Sequence, residues 1–128
     1  MWILTPFCGL SLLAGLCFAG DIGGPPDLRE FSFPSEVALG EEILVGCFVK
    51  KGTAGPYRIT WLKDGREIRE SERVTITARS KTSAALRISS LRAEDVANYT
   101  CVASNDYGTD SVTAPLIING NSMAYRLA

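Results

Sequence analysis

Asp95-Val96-Ala97-Asn98-Tyr99-Thr100-Cys101 is the stretch on which the reading of this chain turns. Side chains on an extended strand alternate between its two faces, so Tyr99 and Cys101 share one side while Asn98 and Thr100 share the other. Upstream, Ile43, Val45, Cys47 and Val49 alternate with Leu44, Gly46, Phe48 and Lys50, which puts the second relevant cysteine on an apolar, core-facing edge of its own strand. Ile59 and Trp61 then alternate with Thr60 and Leu62. They run into Lys63-Asp64-Gly65, a turn sequence whose glycine accepts positive φ.

The same pattern continues outward. Val74-Thr75-Ile76-Thr77 and Ala84 to Ile88 read as a hairpin pair around polar Arg79-Ser80-Lys81-Thr82-Ser83, with Leu86 and Ile88 facing inward. Asn105-Asp106-Tyr107-Gly108 is a tight turn, after which Val112 to Ile118 returns antiparallel to the Tyr99–Ala103 strand. Pro115 has no N–H for a ladder and suits an edge. Gly, Pro, Asp or Asn punctuate these runs about every 8–12 residues, which predicts an all-β sandwich of seven or eight strands.

The ends read differently. Residues 1–19 carry no charge and are almost wholly apolar from Ile3 to Phe18, and Cys17-Phe18-Ala19 sets small residues three and one before a cut. This is the pattern of a cleaved signal peptide. An uncleaved anchor is the competing reading, and Pro6, Gly9 and Gly15 interrupt the run it would need. Residues 20–30, with paired glycines and prolines, read as a linker, order is expected from Phe31, and 119–128 (NGNSMAYRLA) reads as a flexible tail. Removing the leader takes Cys8 and Cys17 with it. Cys47 and Cys101 are left in a disulfide-permitting compartment, and one bridge is expected. The product would be secreted or would sit on the extracellular face of the plasma membrane, held to the membrane only by a downstream span outside this sequence.

Taken together, Cys47, Trp61, Leu86, Leu91 and the D-x-A-x-Y-x-C run ending at Cys101 resemble an immunoglobulin-like domain of the intermediate set (I-set). The resemblance covers residues 31–118 and implies an immunoglobulin-like β-sandwich: two antiparallel sheets, a Greek key, and one inter-sheet disulfide between Cys47 and Cys101. It further implies that Trp61 packs on the bridge, that Leu86 is core, and that Tyr99 turns its hydroxyl back to nearby backbone as a tyrosine corner. Arg73 and Asp95 would form an ion pair closing the bottom of the sandwich. Pro25-Pro26, Phe31-x-Phe33-Pro34, the loop Lys50 to Tyr57 and Trp61 to Gly65 look similar to domains of the Down syndrome cell adhesion molecule group and its arthropod relatives. That likeness implies cell adhesion or recognition, homophilic or heterophilic, of the sort used in axon guidance and self-avoidance. The other implied reading is a soluble, hemolin-like immune recognition protein.

Catalysis has little to work with. The chain has no histidine, the commonest general base and zinc ligand, and neighbouring acids such as Glu41-Glu42 and Glu94-Asp95 read as solvated charge. No phosphate loop or metal motif is present, so no enzyme, cofactor or metal is expected. With 13 basic and 14 acidic side chains and a net charge of −1, nucleic acid is not an expected partner. A protein is. Asn98-Tyr99-Thr100 is an N-glycosylation sequon on the solvent side of its strand. The outward apolar set Leu44 and Phe48, with Ala85, is the candidate homophilic face; Thr60, Leu62, Thr100 and Val102 mark the opposite sheet. The loops at Lys50, Lys51, Tyr57 and Arg58 and at Asn105 to Tyr107 share one end and form a rival location.

Overall fold

A computed structural model describes residues 23–50 and 55–118. The expected leader, the tail and Lys51 lie outside the described residues. Among the described residues seven strands follow in order: β1 (Ile43–Phe48), β2 (Arg58–Lys63), β3 (Arg66–Glu67), β4 (Val74–Ser80), β5 (Ser83–Ile88), β6 (Ala97–Asn105) and β7 (Gly108–Leu116). They form a three-stranded sheet, β1-β5-β4, and a four-stranded sheet, β3-β2-β6-β7, every pairing antiparallel. The chain passes from one sheet to the other after β1, after β3 and after β5, which is the Greek-key wiring of a sandwich.

Register explains the core. Val45, Leu86 and Ile76 lie side by side on the inner face of the small sheet, as do Trp61, Cys101 and Val112 on the large one. Cys47 and Cys101 bridge the two, with Cα atoms 6.4 Å apart and both residues fully buried. Trp61, beside Cys101 in register, is also fully buried. Its indole N–H has no hydrogen-bond partner among the described residues, a cost of about 1–3 kcal/mol. Burying an aromatic ring of this size contributes about 4–6 kcal/mol, so the site remains favourable. Phe31 packs edge-on to Trp61 at 5.1 Å and Phe33 edge-on to Tyr99 at 5.5 Å, lining the core with linked rings.

Three features differ from the sequence reading. The β4–β5 strands run closer together than expected, leaving only Lys81-Thr82 as the turn. The Ser80 hydroxyl bonds those of both Thr82 and Ser83 there, so polar side chains continue the hairpin instead of ending it. The segment expected as linker, 20–30, is held to the sandwich over its described part. Leu28 is buried and bridges to Val49, the Arg29 N–H donates to the Phe48 carbonyl, and the Lys50 N–H donates to the Asp27 carbonyl. This stands where an eighth strand would lie. Proline masks it from sequence reading, because Pro25-Pro26 suggests a spacer while the alternation that follows buries Pro26 and Leu28. The third difference is Ala85, expected outward and available, which is only 3% exposed.

The bridge closes a loop of 54 residues, which in the loop-entropy account is worth about 4 kcal/mol. Replacing Cys47 and Cys101 together by Ala should lower the free energy of unfolding by about that amount in a urea titration. An unchanged midpoint would show that the sandwich does not depend on it.

Candidate functional site

Three regions gather the residues singled out above. At the bottom of the sandwich, the Arg73 guanidinium donates from Nη1 to Asp95 Oδ2 at 2.9 Å and from Nη2 to Oδ1 at 3.1 Å. Nη1 also reaches the carbonyls of Ser89 and Ser90. Asp95 sits in a short 3-10 turn, Ala93–Asp95, and its Oδ2 accepts the Arg92 N–H at 2.8 Å. Burial pushes the Asp95 carboxyl up, but the Arg73 hydrogen bonds, the Arg92 N–H and the charges of Arg73 and Lys63 outweigh it and hold the group below its usual value. The Tyr99 hydroxyl donates to the Asp95 carbonyl at 2.7 Å. Burial first, and then the charges of Asp95 and Asp64, raise the Tyr99 pKa. Both carboxylate oxygens of Asp95 are thus engaged, and this cluster fastens three chain segments together rather than offering a reactive group.

At the opposite end, the two loops named from the sequence come together. Pro56, Tyr57 and Arg58 face Ser104, Asn105 and Asp106 across an open cavity of about 310 Å³. Asn105 shapes its turn by accepting the N–H groups of Tyr107 and Gly108 at Oδ1, while its Nδ2 donates to the Gly24 carbonyl at 2.8 Å. Gly23 lies so close to Tyr107 that a Cβ would sit 2.6 Å from the ring, and its φ of +144° also favours glycine.

The third region is the outer face of the three-stranded sheet. Leu44 is 59% exposed and Phe48 47% exposed, and both lie on β1. The Phe48 ring folds back over Gly46; a Cβ there would be 2.6 Å from a ring carbon. Ala85 is the register partner of Gly46 and is buried. Arg87, beside Leu44 in register, is ion-paired with Glu42 and borders the patch with charge. Sequence reading set Gly46 on the same side as Leu44 and Phe48 but gave it no part in the contact, although a lone glycine inside a strand is a sign of close approach. On the other sheet, Thr60, Leu62, Thr100 and Val102 are each half-buried, and Asn98 is exposed. Among the described residues no group of acids and cysteines is placed to hold a metal ion.

A sequence profile of the immunoglobulin I-set domain matches residues 26–118, most of the chain. The chain belongs to the immunoglobulin I-set family. Within that family it is 39% identical over 94 residues to the human cell adhesion molecule DSCAML1 and 40% identical over 94 residues to chicken DSCAM, covering 73% of this chain and 4% of each relative. Protein turtle of Drosophila melanogaster is 37% identical over 113 residues, 85% of this chain and 7% of that protein. The chain therefore spans a small fraction of the curated relatives it matches. Among solved structures, the Dscam1 Ig7 domain, isoform 5, superposes with a TM-score of 0.70 at 31% identity, over 74% of this chain and 97% of that one. The I-band fragment I67–I69 of titin superposes at 0.66 with 34% identity, over 74% of this chain and 32% of that one, so the sandwich as such does not separate the adhesion molecules from titin.

Breaking one side of a buried ion pair leaves the other charge stranded, which costs about 3 kcal/mol. Arg73→Met should lose about that at pH 7, measured by denaturant unfolding. Because the folded pKa of Asp95 is depressed, the contribution is full above the unfolded value near 3.8 and lost as pH falls through the lower folded value. The gap between wild type and variant should accordingly close in acid; a gap constant from pH 7 to pH 2 would contradict this.

Proposed function

We propose that this chain is an extracellular recognition module that binds a protein partner noncovalently, first among them a second copy of itself, through the outer face of the three-stranded sheet. The observation that carries the reading is the pairing of exposed Leu44 with a Phe48 ring laid over Gly46. An aromatic ring resting on backbone loses little conformational freedom on binding, and an apolar centre bordered by charge has the anatomy of a protein contact. The Arg87–Glu42 pair supplies that border. Similarity to DSCAML1, DSCAM and turtle supports an adhesion role, and the leader-like first 19 residues support secretion or display at the cell surface. Axon guidance and self-avoidance would follow from such a contact in neurons. A single module binds weakly, so tandem or clustered copies would supply the avidity.

A second reading is a soluble, hemolin-like recognition protein that grips foreign surfaces. The cavity between Pro56–Arg58 and Ser104–Asp106 favours it, since it gathers two loops into one concave end.

Beads coated with the folded chain should cluster, and Leu44→Glu with Phe48→Asp should weaken self-association by about 2 kcal/mol or more, roughly 30-fold. Gly46→Ala should also weaken it, by lifting the ring while removing no apolar group. Both variants should keep the circular dichroism of the parent, because the substituted positions face outward. Clustering that survives the double substitution would exclude this face, and clustering lost instead on Arg58→Glu would favour the loop end.

A further inference from the structure

We propose that Asn98 is an N-glycosylation site that is filled before β6 closes into its sheet, and that its glycan then covers the outer face of the four-stranded sheet. This rests on the secretory route assumed above. Of the four asparagines in the sequence, Asn98 alone begins an Asn-x-Ser/Thr triplet.

The geometry is favourable to an attached sugar. Tyr99 and Cys101, 1% and 0% exposed, point into the core, which turns Asn98 outward. The backbone of Asn98 is already satisfied: its N–H donates to Asp64 Oδ1 at 2.9 Å, and its carbonyl accepts the Asp64 N–H at 2.8 Å. Its side-chain amide makes no hydrogen bond among the described residues, so modifying it breaks none of those described. The flanking positions, Asp64 on the β2–β3 turn and Pro115 on β7, are both exposed, leaving room above the strand.

The same geometry sets the timing. The transferring enzyme must engage the Thr100 hydroxyl, which in the folded sheet is tied to Thr113 Oγ1 at 2.8 Å, and must grip a strand paired on both sides. Transfer therefore precedes the docking of β7 and the closing of the Cys47–Cys101 bridge one residue beyond the triplet. In the step, Asn98 Nδ2 bonds to the anomeric carbon of an oligosaccharide carried on a lipid pyrophosphate. The carbon–oxygen bond to the pyrophosphate breaks, the pyrophosphate leaves with the electron pair, and the amide gives up a proton. Once in place, the glycan stands on the face that bears Leu62, Thr100 and Val102. Partners are left the Leu44 and Phe48 face and the loop end.

The test expresses the full chain in a eukaryotic secretory host, both with its own first 19 residues and with those exchanged for a host leader. Intact mass is recorded before and after peptide N-glycosidase treatment. The expected result is an oligosaccharide mass removed by the enzyme, absent from Asn98→Gln and from Thr100→Ala, and retained in Thr100→Ser. A host-leader product that is secreted and disulfide-bonded yet has the bare polypeptide mass would overturn the site. A glycosylated host-leader product beside a native-leader product that never leaves the cytosol would support the site while removing the secretory reading of residues 1–19.

Discussion

The covalent tie between Cys47 and Cys101 joins the middle of one sheet to the middle of the other, and most of the architecture can be traced to it. It restricts the unfolded chain over 54 residues, which include Trp61, Arg73 and Asp95. A sandwich of this size has a stability of only about 5–15 kcal/mol, so a contribution of about 4 kcal/mol is a large share. Because the bridge fixes one residue on β1 and one on β6, it also fixes which face of each strand is inside. Outward positions follow by alternation, and with them Leu44, Phe48 and Asn98.

The two ends of the molecule use their polar groups differently. At the bottom, Arg73, Asp95, Arg92 and Tyr99 satisfy one another, and the cluster has little left to give a ligand. At the top, Asn105 organises both its own turn and the lead-in at Gly24, and a cavity remains open beside it. Mutually satisfied charges thus fasten one end, while at the other two loops frame an open cavity. The sheet faces divide in the same manner, with one presenting exposed apolar groups beside a glycine and the other half-covering its own.

Family membership and function rest on separate grounds. Match of the I-set profile over residues 26–118 and superposition on Dscam1 Ig7 establish the fold and family. The adhesion relatives are far longer than the matched segment, and titin domains share the same sandwich. What a particular I-set module binds is set by its surface residues, since its core residues are those that any such sandwich requires.

The sequence by itself determined the strands around Cys47, Trp61, Leu86 and Cys101, because period-two alternation and turn residues are local signals that survive without knowledge of neighbours. It also located Arg73 and Asp95, through likeness to related domains, and the outward placement of Asn98, Leu44 and Phe48. Only the tertiary structure decided that Leu28 joins the core behind two prolines, that Ala85 is covered, that Phe48 rests on Gly46, and that the Tyr57 and Asn105 loops share a cavity. Each of these depends on contacts between segments far apart in the chain or on the direction of a side chain across its own strand, and neither is encoded in the spacing of residues along it.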